Sequence, residues 1–310
     1  MFQCWWRPKR HHTQLPDEIW TEIILFATGN MRQWALLQRV SADFRRLART
    51  RRALSRTMCD LRTPLNAAIP VDLVSVVGGW TLQPDLLSKF TAVRALYLDH
   101  NLHNYEPVAK LHTLHTLCLW NSTNVDTLFE NAEFRGLKHL SVHSPHVTDF
   151  TVEWLVGFEE LETLELEETC ITEKGLRRLV ELPHLRALKL SFYQTITTLD
   201  AVAQLSSLEE LDLTDCELVA NWKCLISLHK LTKLDLSLTR VTDHDLAELC
   251  TLPALRQLNL FGCQSLTDAC MQSLVQFPKL AHANLHCCYR ISREVLASCK
   301  VKFPCSQDRW

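Results

Sequence analysis

Glycine is scarce in this chain, with seven in 310 residues. None of the seven sits in a phosphate-cradling G-x-x-x-x-G-K-[ST] loop. Neither H-E-x-x-H nor G-x-S-x-G occurs, so the nucleotide, metalloprotease and serine-hydrolase signatures are missing. Long apolar runs are missing too: none approaches the roughly 18 residues of a membrane span. No sign of charge dominates, because 33 Lys and Arg face 35 Asp and Glu for a net −2. That balance excludes a global field that would gather nucleic acid or membrane. The thirteen cysteines are odd in number and scattered. They do not form a disulfide framework, and a reducing compartment, cytoplasmic or nuclear, is expected. Residues 1–14 hold Arg7, Lys9 and Arg10 but lack the apolar core of a secretory signal. They read as a flexible N-terminus, with an organellar presequence as the alternative.

What the chain does have is a period. From Val71 an apolar residue is followed by another three positions on and a third five positions on. The series runs VDLVSV, VRALYL, LHTLCL, LKHLSV, LETLEL, LRALKL, LEELDL, LTKLDL, LRQLNL and LAHANL. Successive starts lie 22, 21, 23, 24, 24, 23, 23, 24 and 25 residues apart. Each copy predicts a short strand with its apolar residues inward and alternate residues outward. A small polar or sulfur residue follows at Thr169, Cys216, Thr239, Cys263 and Cys288. ITEKGL, VTDHDL and LTDACM then place Thr or Asp where a helix is capped. Pro145 and Tyr193 break the small-residue rule, which predicts irregular turns there.

This pattern resembles the leucine-rich repeat, whose period is about 20–29 residues. The resemblance implies an α/β fold: a right-handed leucine-rich-repeat solenoid over residues 57–298. It has a curved parallel sheet of about ten strands and a helical convex side. Residues 299–310 are expected as a C-terminal tail or cap. In this family the small residue after the strand bends the chain and satisfies buried backbone groups of the next turn.

Residues 15–56 do not follow the period. Pro16 is placed to start a helix, and Asp17 and Glu18 put negative charge in its first turn. That helix carries Ile19, Trp20, Ile23, Ile24, Leu25 and Phe26, too much apolar surface for one face. In MRQWALLQRVSADFRRL, Trp34, Leu37, Val40, Phe44 and Leu47 fall on one face. The segment resembles the F-box. The family's LPxExL…I opening matches at Leu15, Pro16, Glu18, Ile19 and Ile23. Its later V…W pair matches at Val40 and, with Phe for Trp, at Phe44. Ala27 stands where the family has a large apolar residue. The resemblance implies a small N-terminal α-helical head that docks the Skp adaptor of a cullin ubiquitin ligase. Its docking residues are Leu15, Pro16, Ile19, Trp20, Ile23, Phe26, Val40 and Phe44. The alternative use of the same apolar surface is to cap the first repeat.

Candidate chemistry is thin. His139 and His143 are four residues apart on one strand, a span of about 13 Å, too far for two ligands of one zinc. With His146 they are expected to be solvated. Cys287, Cys288, Cys299 and Cys305 lack zinc-site spacing, and no cofactor is expected. Arg45, Arg46, Arg49, Arg51, Arg52 and Arg56 read as a solvated helix face rather than an RNA site. The outward residues of the strands carry more information. Glu165, Lys189, Asp212 and Asp235 are consecutive in the central column. Glu165 and Asp212 flank Lys189 and neutralise it, whereas Asp212 beside Asp235 is a like-charge pair. An open sheet is expected to leave that pair too solvated for acid–base catalysis. Tyr97, Trp120 and Phe261 are candidate aromatic anchors, with His143 and Glu167 beside them.

The chain is therefore expected to be a non-catalytic interaction module. The leading reading is the substrate-recognition subunit of a Skp–cullin–F-box ligase. Its concave face would bind a target with a basic or polar segment lying across repeats three to eight. The alternative is a structural scaffold in a cytoskeletal or ribonucleoprotein assembly.

Overall fold

A computed structural model describes residues 73–76, 94–98, 105–192 and 196–303. The expected head, the Arg45–Arg56 run and Tyr193 lie outside the described residues.

Ten strands form one sheet in chain order, every neighbouring pair parallel. They are β1 (Leu73–Val76), β2 (Ala95–Leu98), β3 (Thr116–Trp120), β4 (His139–His143), β5 (Thr163–Glu167), β6 (Ala187–Ser191), β7 (Glu210–Asp212), β8 (Lys233–Asp235), β9 (Gln257–Asn259) and β10 (His282–Asn284). Each falls on one of the ten periodic copies. The other side carries α1 (Glu106–Ala109), α2 (Val125–Glu130), α3 (Asp149–Leu155), α4 (Glu173–Arg178), α5 (Asp243–Leu249), α6 (Cys270–Leu274) and α7 (Arg293–Lys302). Two connections hold only 3-10 turns, Val202–Gln204 and Lys223–Ser227, and neither begins at a side-chain cap.

The spacing of the period explains the core. Leu161, Leu164 and Leu166 are fully buried, as are Leu231, Leu234 and Leu236. Leu164, Leu188, Leu211, Leu234 and Leu258 are directly opposite one another in successive strands, and none is more than 1% exposed. They form the single buried column that the sequence predicts.

The small residues after the strands are buried as expected; Thr239 donates within its own repeat, to Leu236 O at 2.7 Å, but the hydrogen bonds of the cysteines point backwards. Cys216 Sγ donates to Leu190 O at 2.9 Å, Cys263 Sγ to Leu236 O at 3.0 Å and Cys288 Sγ to Leu260 O at 3.1 Å. Each acceptor belongs to the preceding repeat, where the sequence reading places it in the next. Burial holds the Cys263 and Cys288 thiols up, at about 12 and about 11, so they stay protonated donors.

Pro145 changes the fourth repeat. The residue just before the position of the small one, which Tyr193 fills in the sixth repeat, has positive φ in seven repeats: Asn121, Glu168, Phe192, Asp215, Leu238, Gly262 and Cys287. Its counterpart in repeat four is Ser144, which is absent from that set because a following proline disfavours helical backbone. Ser144 takes the buried place instead, and its Oγ donates to Ser122 O at 2.6 Å.

Hydroxyl caps start the convex helices at Thr148, Thr172 and Thr242. LTDACM departs from this. Its helix starts later, at Cys270, while Thr267 is held by Asp243 of the repeat before. The same link, an Asp of one repeat holding a Thr or Ser just ahead of the helix of the next, joins Asp149 to Thr172 and Asp268 to Ser292. The domain boundary expected at 298 falls inside α7, whose Cys299 joins Phe303 in the core.

Candidate protein-interaction surface

Strand alternation aims two columns of side chains away from the core. The central one runs through Tyr97, Cys118, Ser141, Glu165, Lys189, Asp212, Asp235, Asn259 and Asn284 in unbroken register. Tyr97 is 3% exposed, with its hydroxyl buried and unpartnered, so its ring offers no surface to a partner. A ring of that size lies packed among its neighbours on a concave face. Burial, then the nearby Cys118 and Glu165, push its phenol above the ordinary range. Trp120 is half-buried at the end of β3, and Phe261 is 37% exposed just past β9.

His143 is not a freely solvated histidine. Its Nδ1 lies 3.4 Å from Glu167 Oε2 and its Nε2 3.0 Å from Glu168 Oε2. Glu167 also takes Lys189 Nζ. Lys189 therefore pairs with the outer column of the preceding strand rather than sharing itself between its register neighbours Glu165 and Asp212. Hydrogen bonding to Glu167 raises the His143 pKa against the opposing effect of burial. Burial resists ionisation of Glu167, but the His143 hydrogen bond and the Lys189 charge outweigh it and hold the carboxyl at about 2. His139 and His146 are exposed.

Asp212 and Asp235 are turned along their own strands. Asp212 Oδ1 accepts from Thr214 N at 2.9 Å and Thr214 Oγ1 at 2.6 Å. Asp235 Oδ1 takes the same pair of groups from Ser237, and its Oδ2 accepts from Asn259 Nδ2 at 2.7 Å. Asn259 and Asn284 repeat the turn with Phe261 N and His286 N. The four side chains close the strand-ending turns, as Asx turns do. Contrary to the expectation of solvated carboxylates, Asp212 is desolvated: burial and then Asp235 raise its pKa. With Oδ1 taking both Thr214 groups, Asp212 serves as a brace for the turn.

At the start of β7 to β9, Glu210, Thr232, Lys233, Arg256 and Gln257 line a shallow hollow of about 260 Å³. Its Lys233 and Glu210 are 3.9 Å apart. Among the described residues no group of three or more His, Cys, Asp or Glu is placed to hold a metal ion. No helix among them is long and apolar enough to cross a membrane.

The strand-exit edge is the feature that sequence reasoning passed over. The positive-φ residues line it, and the N–H of each of six of them donates to a carbonyl of the following repeat, from Asn121 to His143 O through Gly262 to His286 O. Phe192 and Leu238 stand on this edge 43% and 41% exposed.

Comparison with known proteins agrees with this architecture. The family model described as "Leucine-rich repeat region" matches residues 106–297. The chain belongs to the leucine-rich repeat family. Proteins of this family are in general non-catalytic interaction modules. No curated protein matches the chain. Among solved structures, this leucine-rich repeat chain is similar to Rad7 in the Rad7 and Elc1 complex of yeast. That match has 17% identity and a TM-score of 0.54, covering 73% of this chain and 72% of the other. It is also similar to an internalin, InlF, of Listeria monocytogenes, at 19% identity and a TM-score of 0.52, covering 70% and 68%.

Proposed function

We propose that this leucine-rich repeat chain is the target-recognition subunit of a Skp–cullin–F-box ubiquitin ligase and is itself non-catalytic. The observation that carries the reading is the LPDEI opening with its V…F pair, joined to a repeat array. Residues 15–56 form the head that docks the adaptor through Leu15, Pro16, Ile19, Trp20, Ile23, Phe26, Val40 and Phe44, as an amphipathic helix fills a groove. Residues 57–298 supply the rigid, broad surface that holds the target, and proximity to the recruited conjugating enzyme does the rest. Trp120 and Phe261 anchor the target, while Glu165, Glu167 and the carboxylates of repeats five to eight favour a basic or polar segment. A two-protein assembly has been solved for the yeast fold neighbour, Rad7 with Elc1. Phe44 in place of Trp and Ala27 in place of a large residue favour a second reading, a structural scaffold with a degenerate head.

Pull-down with a purified Skp adaptor separates the two. Ile23→Asp should abolish capture while leaving the unfolding of the repeats nearly unchanged. A wild-type chain that fails to bind the adaptor, or an Ile23→Asp variant that binds normally, would favour the scaffold.

A further inference from the structure

The strand-exit edge carries a pattern that the sheet floor does not. From repeat five to repeat nine its left-handed residues are Glu168, Phe192, Asp215, Leu238 and Gly262. Acid and apolar side chains thus alternate from strand to strand, at about 4.8 Å per step. Backbone bonds fix the alignment: Glu168 N to Ser191 O, Phe192 N to Thr214 O, Asp215 N to Ser237 O and Leu238 N to Phe261 O. A left-handed backbone is unfavourable for an L residue because its Cβ crowds the following carbonyl. Glycine or asparagine would relieve it, yet Phe192 and Leu238 hold φ of 62° and 59°. Large apolar side chains kept under strain and facing water point to use as a contact surface. Gly262 leaves Leu238 its space, because a Cβ there would stand 2.5 Å from Leu238 Cδ2. The acids differ in their pairing. Burial and the charge of Glu217 raise the Asp215 pKa, and Glu217 itself takes Arg240 at 2.8 Å. Glu168, its side chain 55% exposed, pairs with His143 at 3.0 Å and keeps much of its carboxylate open to water.

We propose that this edge docks an extended segment of a partner protein that presents an apolar side chain at every third position with a lysine or arginine between. Held as a polyproline II segment, with three residues per turn and about 3.1 Å per residue, it brings every third side chain to one face at a spacing of about 9.3 Å, close to the two strand spacings of about 4.8 Å between Phe192 and Leu238. The cations then fall beside Glu168 and Asp215. The inference rests on the repeats being a protein-interaction module, and it is independent of the adaptor.

The test is fluorescence anisotropy of the full chain with a labelled synthetic peptide of repeated Leu-Lys-Ser. Comparison peptides are repeated Leu-Glu-Ser and alternating Leu-Lys. The first should bind about tenfold or more tightly than either, and Phe192→Ser/Leu238→Ser should weaken it about tenfold, which is about 1.4 kcal/mol. Asp215→Lys should also weaken it, while Trp120→Ala should not. Equal affinity for the three peptides, no binding, or full binding by the double variant overturns the proposal. Adaptor capture by the double variant should be normal, so loss of the docking strip is distinguishable from loss of the receptor role.

Discussion

Gly175 occupies a helical position that favours alanine by about 1 kcal/mol on propensity alone. Its reason for being glycine lies one repeat away. Asp149 Oδ1 accepts the Gly175 N–H at 3.1 Å while also holding Thr172. A Cβ on Gly175 would meet that oxygen at 2.5 Å and Ile171 Cγ2 at 2.8 Å. Gly175→Ala is therefore expected to destabilise the chain by about 1–3 kcal/mol, because packing strain outweighs the propensity gain. Urea unfolding measures this. In a double-mutant cycle with Asp149→Ala the two effects should fall short of additive, whereas full additivity would show that the clash lies elsewhere.

At the scale of elements, β4, β5 and β6 are tied across their outer faces by His143, Glu167 and Lys189. Their stability contribution has a defined pH window. The folded-state pKa of His143 is raised, so its contribution is full below its unfolded value of about 6.5 and fades as pH rises through the folded one. The Glu167 value is lowered to about 2, so its contribution is present above its unfolded value of about 4.3 and is lost as pH falls towards 2. His143→Gln should cost most at mildly acid pH, below the unfolded value of about 6.5, and progressively less as pH rises through the raised folded value. The side chain is 25% exposed, so a loss of about 1 kcal/mol or less is expected. Glu167→Gln should cost more, since it leaves Lys189 without its partner. A pH series of urea melts tests both; a His143→Gln deficit that is flat across pH would remove the ion pair from the account.

The whole molecule is a stack in which each repeat leans on its two neighbours, so stability is close to a sum of repeat and interface contributions. Leu211 is 1% exposed and lies between Leu188 and Leu234. Leu211→Ala should cost about 2–5 kcal/mol. Leu285, 3% exposed just past the terminal strand β10, has repeats on one side only among the described residues. Leu285→Ala should cost less than Leu211→Ala, and equal losses by chemical denaturation would argue against nearest-neighbour stacking.

The amino-acid sequence by itself determined the strands, their order and their buried column, because apolar spacing inside each repeat is a local property. It also located the irregular turn at Pro145, since proline restricts the residue directly before it. Stacking decided what residues 23 or 24 positions apart do to one another. Only the folded chain sends the Cys216 and Cys263 thiols to the preceding repeat. It gives Lys189 to Glu167 rather than to Glu165 or Asp212, and it buries Tyr97. The alternation of Glu168, Phe192, Asp215 and Leu238 likewise exists only across strands. Each of these residues obeys a local rule in its own repeat, and no local rule carries the charge, bulk or reach of the side chain one strand away.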